Sequence, residues 1–92
     1  MVIDNPKRPS AYGVVANISE VGGCVLTAET YNVGDDVTLT LSFPREPQPI
    51  QTPGHIVWSG EGPKGTVRYG LKFDTTLDVH VKLKDLIEHS GT

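Results

Sequence analysis

Asn17-Ile18-Ser19-Glu20-Val21-Gly22-Gly23 gathers an amide, a hydroxyl and two bare peptide units within seven residues, and fits the pattern Asp/Asn-x-Ser-x-x-Gly. Such groups recognise a polar partner by hydrogen bonding rather than transform it. The same residue types also suit a tight reversal of the chain, so the cluster by itself is first of all a turn.

Other candidate chemistries do not assemble. Gly60-Glu61-Gly62-Pro63-Lys64-Gly65 is a literal Gly-x-Gly-x-x-Gly, but it contains Pro63 and leads into a strand. A dinucleotide fingerprint must instead open a helix. Ser19 has neither the glycine-flanked elbow nor the His–carboxylate signature of a nucleophile. His55, His80 and His89 share no metal-ligand spacing, and the single Cys24 cannot complete a zinc site. His80 and His89 are expected on a helix surface, His55 at a strand start, and Asp35-Asp36 in a turn. Trp58 is expected inside, because a chain with two Phe, three Tyr and one Trp needs it in the core.

The elements that would hold the cluster are mainly strands. Residues 1–10, with Pro6 and Pro9, read as an extended lead-in, and residues 11–90 as one domain. Val14, Ala16 and Ile18 alternate before the cluster, and Cys24–Ala28 returns after it. Val37, Leu39, Leu41 and Phe43 form the first clear period-2 run, and Val67, Tyr69, Leu71 and Phe73 the second. The outer face of the second run carries Arg68 and Lys72 on either side of Gly70. The prolines from Pro44 to Pro53 exclude a helix or a central strand there. His55–Ser59 is the apolar run between. From Asp78, Val79, Leu83, Leu86 and Ile87 fall at helical spacing, with Thr75 or Thr76 as N-cap and Gly91 as stop. Strands followed by one helix predict a small antiparallel barrel or curled sheet covered at one end.

Ninety-two residues make one compact domain. A net charge of -3 argues against long nucleic acid, whose binding needs many phosphate contacts, but leaves room for a ligand with one or two phosphates. No basic run points to a membrane surface, and no apolar block suits a signal peptide or a span. With one cysteine, the expected setting is the cytoplasm.

Around the Asn17–Gly23 cluster the chain resembles the PilZ family from about Tyr12 to Ile87. Cys24-Val25-Leu26 follows the cluster, and a Val33-Gly34-Asp35 turn enters the strand ending Phe43-Pro44. Gly54-His55-Ile56-Val57-Trp58 is similar to the family's Gly-x-Val-Val-Trp strand, and Tyr69-Gly70-Leu71-Lys72-Phe73 to its Tyr/Ile-Gly-x-x-Phe strand. The resemblance implies a six-stranded antiparallel β-barrel with a C-terminal helix that binds cyclic diguanylate (c-di-GMP), a bacterial second messenger. It implies no catalysis, no metal and no resident cofactor. Asn17, Ser19 and Gly22, with Gly23 beside them, would line the ligand site. The Asn17 amide suits a guanine edge, the Ser19 hydroxyl suits base or phosphate, and the glycines would open backbone N–H groups to the ligand.

The family's Arg-x-x-x-Arg box is not found before Asn17. The arginines are Arg8, Arg45 and Arg68, and the lead-in offers only the adjacent pair Lys7-Arg8. A lysine replaces poorly the bidentate fork of an arginine. Three readings stay open: a fragment whose arginines lie upstream, a divergent member in which Lys7, Arg8 or Arg68 substitutes, or an adaptor that docks a protein without nucleotide. The first two describe a module that senses cyclic diguanylate and signals to a partner protein or an attached domain, with the lead-in ordering over the Asn17–Gly23 surface.

Overall fold

The computed structural model describes residues 1–44 and 46–90, the last two without their side chains. The expected stop at Gly91 and the side chain of His89 lie outside the described residues. Among the described residues seven strands precede one helix: β1 (Val2–Asn5), β2 (Arg8–Tyr12), β3 (Val14–Ile18), β4 (Gly22–Thr27), β5 (Asp36–Leu41), β6 (Ile50–Glu61), β7 (Val67–Phe73) and α1 (Leu77–Ser90). The strands form one antiparallel sheet in the order β2-β1-β5-β6-β7-β4-β3, curled into a half-barrel.

The outermost strands, β2 and β3, are consecutive in sequence and separated only by Gly13. Counted as one bent strand, they restore the six strands that the resemblance implies. Gly13 stands where the strand leaves β1 for β4. Its N–H donates to the Met1 carbonyl (2.8 Å), and its carbonyl accepts from the Met1 ammonium (3.2 Å). The residue is buried, and a Cβ there would strike the Val25 side chain and come within 3.3 Å of Ile3 Cδ1. Only glycine lets the strand pass that close to the core.

The two strong alternating runs pack as expected. Val37, Leu39 and Leu41 of β5 and Tyr69, Leu71 and Phe73 of β7 face the core, with Thr38, Arg68 and Lys72 outward. α1 closes the core with Leu83, which has no exposed surface, while Val79, Leu86 and Ile87 pack beside it. Burying one such leucine contributes about 2–3 kcal/mol. Thr76 supplies the helix cap: its hydroxyl accepts from the Val79 N–H at 3.4 Å.

Residues 1–10, expected as an extended lead-in, are extended as strands of the sheet: β1 pairs with both β2 and β5 and puts Ile3 in the core. Two expectations are corrected. The prolines do not exclude a central strand, because β6 begins at Ile50 and runs through Pro53, which leaves His55 well inside it. Pro53 is tolerated because its carbonyl accepts from Asp74 N–H (2.8 Å) just past the end of β7, so its missing donor costs only a terminal rung. Finally, the alternation in β3 does not mark a buried face, since Val14 through Asn17 are all exposed.

A tyrosine pair fastens the β4–β5 connection. Tyr31 and Tyr69 meet edge to face at 5.6 Å; the Tyr31 N–H donates to the Tyr69 hydroxyl (2.8 Å), which donates to the Glu29 carbonyl (3.2 Å). The Tyr31 hydroxyl is buried without a partner among the described residues. Burial first, then the neighbouring Glu29 and Tyr69, raises its pKa above the ordinary 10.0, against a lowering by Arg8. The folded state therefore holds this proton more tightly than the unfolded chain does. The resulting stability is complete below about pH 10 and is lost as pH rises toward the folded value.

Two outcomes follow for stability. Gly13→Ala should lower the urea midpoint by the equivalent of about 1–3 kcal/mol, the cost of forcing a methyl into a filled site. Tyr31→Phe should leave the midpoint at neutral pH unchanged or higher, because the hydroxyl it removes is unsatisfied. Above about pH 10 it should lose stability less steeply than the parent, as urea titrations across that range would record.

Candidate functional site

The Asn17–Gly23 cluster forms the end of β3, a turn, and the start of β4. Ser19 closes the turn. Its N–H donates to the Gly22 carbonyl (2.8 Å), its hydroxyl donates to the same oxygen (3.3 Å), and that hydroxyl accepts from the Val21 N–H (3.3 Å). Phe73 N–H donates to the Val21 carbonyl (2.9 Å), which ties the turn to β7. The Ser19 bonds from the hydroxyl are long, so that group can exchange them for a ligand atom at small cost.

Asn17 is exposed and makes no side-chain hydrogen bond to a described residue. It follows an irregularity in the β3–β4 register, where Val15 pairs with Val25 but Asn17 with Cys24. The residue between, Ala16, is the extra one, and a bulge of this kind re-aims the side chain after it. The two glycines have a different reason from the one expected. A Cβ on Gly22 would collide with the Leu71 carbonyl, and one on Gly23 would lie 2.6 Å from the Asn17 carbonyl. Their bareness serves the approach of neighbouring strands.

These residues line an open pocket of about 370 Å³ together with Cys24, Trp58 and Lys72. Trp58 is the residue that the sequence misplaces. Its side is set by a second register shift, between Ile56 and Trp58 in the β6–β7 pairing. Ile56 is buried, and strict alternation would bury Trp58 too; the inserted Val57 turns it outward, where it is 45% exposed. The indole lies over Gly70, where any Cβ would overlap its ring nitrogen. Gly70 faces Trp58 on one side and Cys24 on the other, and Cys24 faces Asn17, so one row crosses four strands. The sequence signal was the pairing of a lone tryptophan with a glycine in an otherwise regular strand.

Lys7 and Arg8 do not join this pocket. Arg8 Nε lies 3.9 Å from an Asp35 carboxylate oxygen, and the guanidinium sits 5.8 Å from the Tyr31 ring centroid. Lys7 borders a separate recess of about 250 Å³ with Asn5, Asp35 and Asp36. The cause is the stagger of the sheet. Arg8 pairs with Asn5, whose amide donates to the Asp36 carbonyl (2.7 Å). Asp36 pairs with His55, His55 with Lys72, and Lys72 with Gly22, beside Gly23, which pairs with Ile18. The bonded path leaves one end of the bent strand and returns to the other end. Arg8 and Asn17 therefore stand at opposite ends of β2–β3.

Among the described residues no group of histidine, cysteine and carboxylate side chains could hold a metal. His55 instead meets Asp74, Nδ1 to Oδ2 3.0 Å. What the pocket offers is an aromatic face, an amide, a hydroxyl and an ammonium group. That set suits a flat, polar ring bearing a negative charge. If the indole rests on Gly70 as described, Gly70→Ala should displace it. Trp58 emission should then shift to the red while the far-ultraviolet dichroism of the sheet is kept.

The PilZ domain family model matches residues 2–89, nearly the whole chain. No curated protein and no solved structure matches it.

Proposed function

The chain belongs to the PilZ domain family, and from that premise we propose that it is a module that binds cyclic diguanylate in the pocket between Asn17 and Trp58 and passes the signal on through protein contacts. PilZ domains are binding and regulatory modules in general. The observation that carries the proposal is the meeting of Asn17 and Ser19 with an exposed indole in one pocket. A guanine ring stacks on Trp58, an interaction worth about 1–3 kcal/mol per base. The Asn17 amide then reaches the base edge, and the Ser19 hydroxyl gives up its long bonds to base or phosphate. The role is recognition, not catalysis, and its setting is the cytoplasm. No described helix is long and apolar enough to cross a membrane.

One observation favours a second reading, a nucleotide-independent adaptor. Arg8 is engaged with Asp35 and Tyr31, and neither it nor Lys7 lines the pocket. The partner protein or attached domain would then be recognised by the barrel itself.

Calorimetry separates the two. Titrating cyclic diguanylate into the chain should release or absorb heat and quench Trp58, the single tryptophan. Asn17→Ala should weaken binding about tenfold, the worth of one or two net hydrogen bonds. A silent titration at high ligand concentration would leave the adaptor as the better reading.

A further inference from the structure

Arg68, Gly70 and Lys72 alternate outward along β7, while Tyr69, Leu71 and Phe73 between and beside them fill the core. Gly70 is covered by the indole of Trp58. An aromatic platform thus lies between two cations on one strand, each about 7 Å along the chain from its centre at 3.3 Å per residue. Arg68 and Lys72 are exposed, and neither makes an ion pair with a described residue. Asp74, the next outward position after Lys72, is held by His55 at 3.0 Å. Lys72 itself borders the pocket.

We infer that Lys72 forms the anion-binding side of the pocket, with Arg68 on the far side of the indole adding to the positive field, so that the site takes a nucleotide with its base on Trp58 and its phosphate on Lys72, without help from Lys7 or Arg8. The inference rests on the nucleotide reading of the pocket, and it specifies where the charge comes from. Lys72 supplies the charge at the pocket's edge, and Arg68, which does not line the pocket, raises the positive potential from the other side of the indole. The lead-in cations are poorly placed for that task. Arg8 is shared between Asp35 and the Tyr31 ring, and Lys7 borders the other recess with Asp35 and Asp36. Among the described residues a single aromatic side chain lines the pocket, so one base is stacked there.

The test uses two probes, 5′-GMP and cyclic diguanylate, with the full chain and two-dimensional NMR as well as Trp58 quenching. The expected result for both probes is a set of shifts centred on Arg68, Gly70, Lys72 and the Trp58 indole N–H. Lys72→Ala should weaken binding about tenfold or more and Arg68→Ala less, each flattening its salt dependence, whereas Lys7→Ala should change neither. The amide spectrum of each variant reports whether the fold is kept, and Lys72→Arg should restore binding. Cyclic diguanylate binding that survives both Lys72→Ala and Arg68→Ala overturns this inference and leaves the messenger reading standing. Binding of 5′-GMP at these residues without binding of cyclic diguanylate supports the site and overturns the messenger. If neither probe shifts any of the named residues, both are overturned.

Discussion

Gly13 is where one strand exchanges its partners: before it the chain is bonded to β1, after it to β4, and a methyl group at that point would run into Val25. A curled sheet this small has to turn a corner somewhere. Here the corner falls inside a strand, at a residue without a side chain, rather than in a loop. That choice keeps β2 and β3 in one covalent line while they serve opposite ends of the sheet order. The placement of both recesses follows. The Lys7 recess sits at the start of the line, and the Asn17 pocket at its end.

Much of this architecture was legible in the residues. The alternation in β5 and β7 is carried by apolar side chains that go to the core and polar ones that do not, and α1 follows its 3.6-residue stripe. What was not legible has a common origin in the bending of the sheet. Pro53 looked like a stop because a central strand normally needs its donor, yet β7 ends at the level where that donor would be used. The first ten residues read as a lead-in because two prolines and few apolar side chains hide a hairpin whose one fully buried side chain is Ile3. β3 looked half-buried because its apolar residues alternate, but its place at the end of the sheet leaves both faces open.

The pocket illustrates the same division. Asn17, Ser19, Gly22 and Gly23 were singled out by the family resemblance, and the structure places all four along one pocket. Trp58 was placed on the wrong side because a period-2 reading has no way to anticipate one extra residue, and each extra residue reverses every side chain beyond it. The bareness of the two glycines answers to carbonyls of adjacent strands. A site built across β3, β4, β6 and β7 is therefore as rigid as the sheet itself. Its recognition groups are positioned by backbone pairing and not by loops, apart from the Ser19 turn, which Val21 ties to Phe73.

The pairing of β4 with β7 joins residues 22–27 to residues 67–72, and that of β1 with β5 joins residues 2–4 to residues 38–40. Contacts so distant along the chain are entropically slow to form, so the molecule belongs among the domains that fold in milliseconds to seconds rather than microseconds. A growing polypeptide leaving the ribosome cannot complete the pocket until β7 has emerged, since the indole's resting place and the anchor of the Ser19 turn both belong to that strand or its end. Until then β3 and β4 can pair only with each other, with the core residue Val25 of β4 exposed. That interval is when the nascent chain is most vulnerable to association with its neighbours.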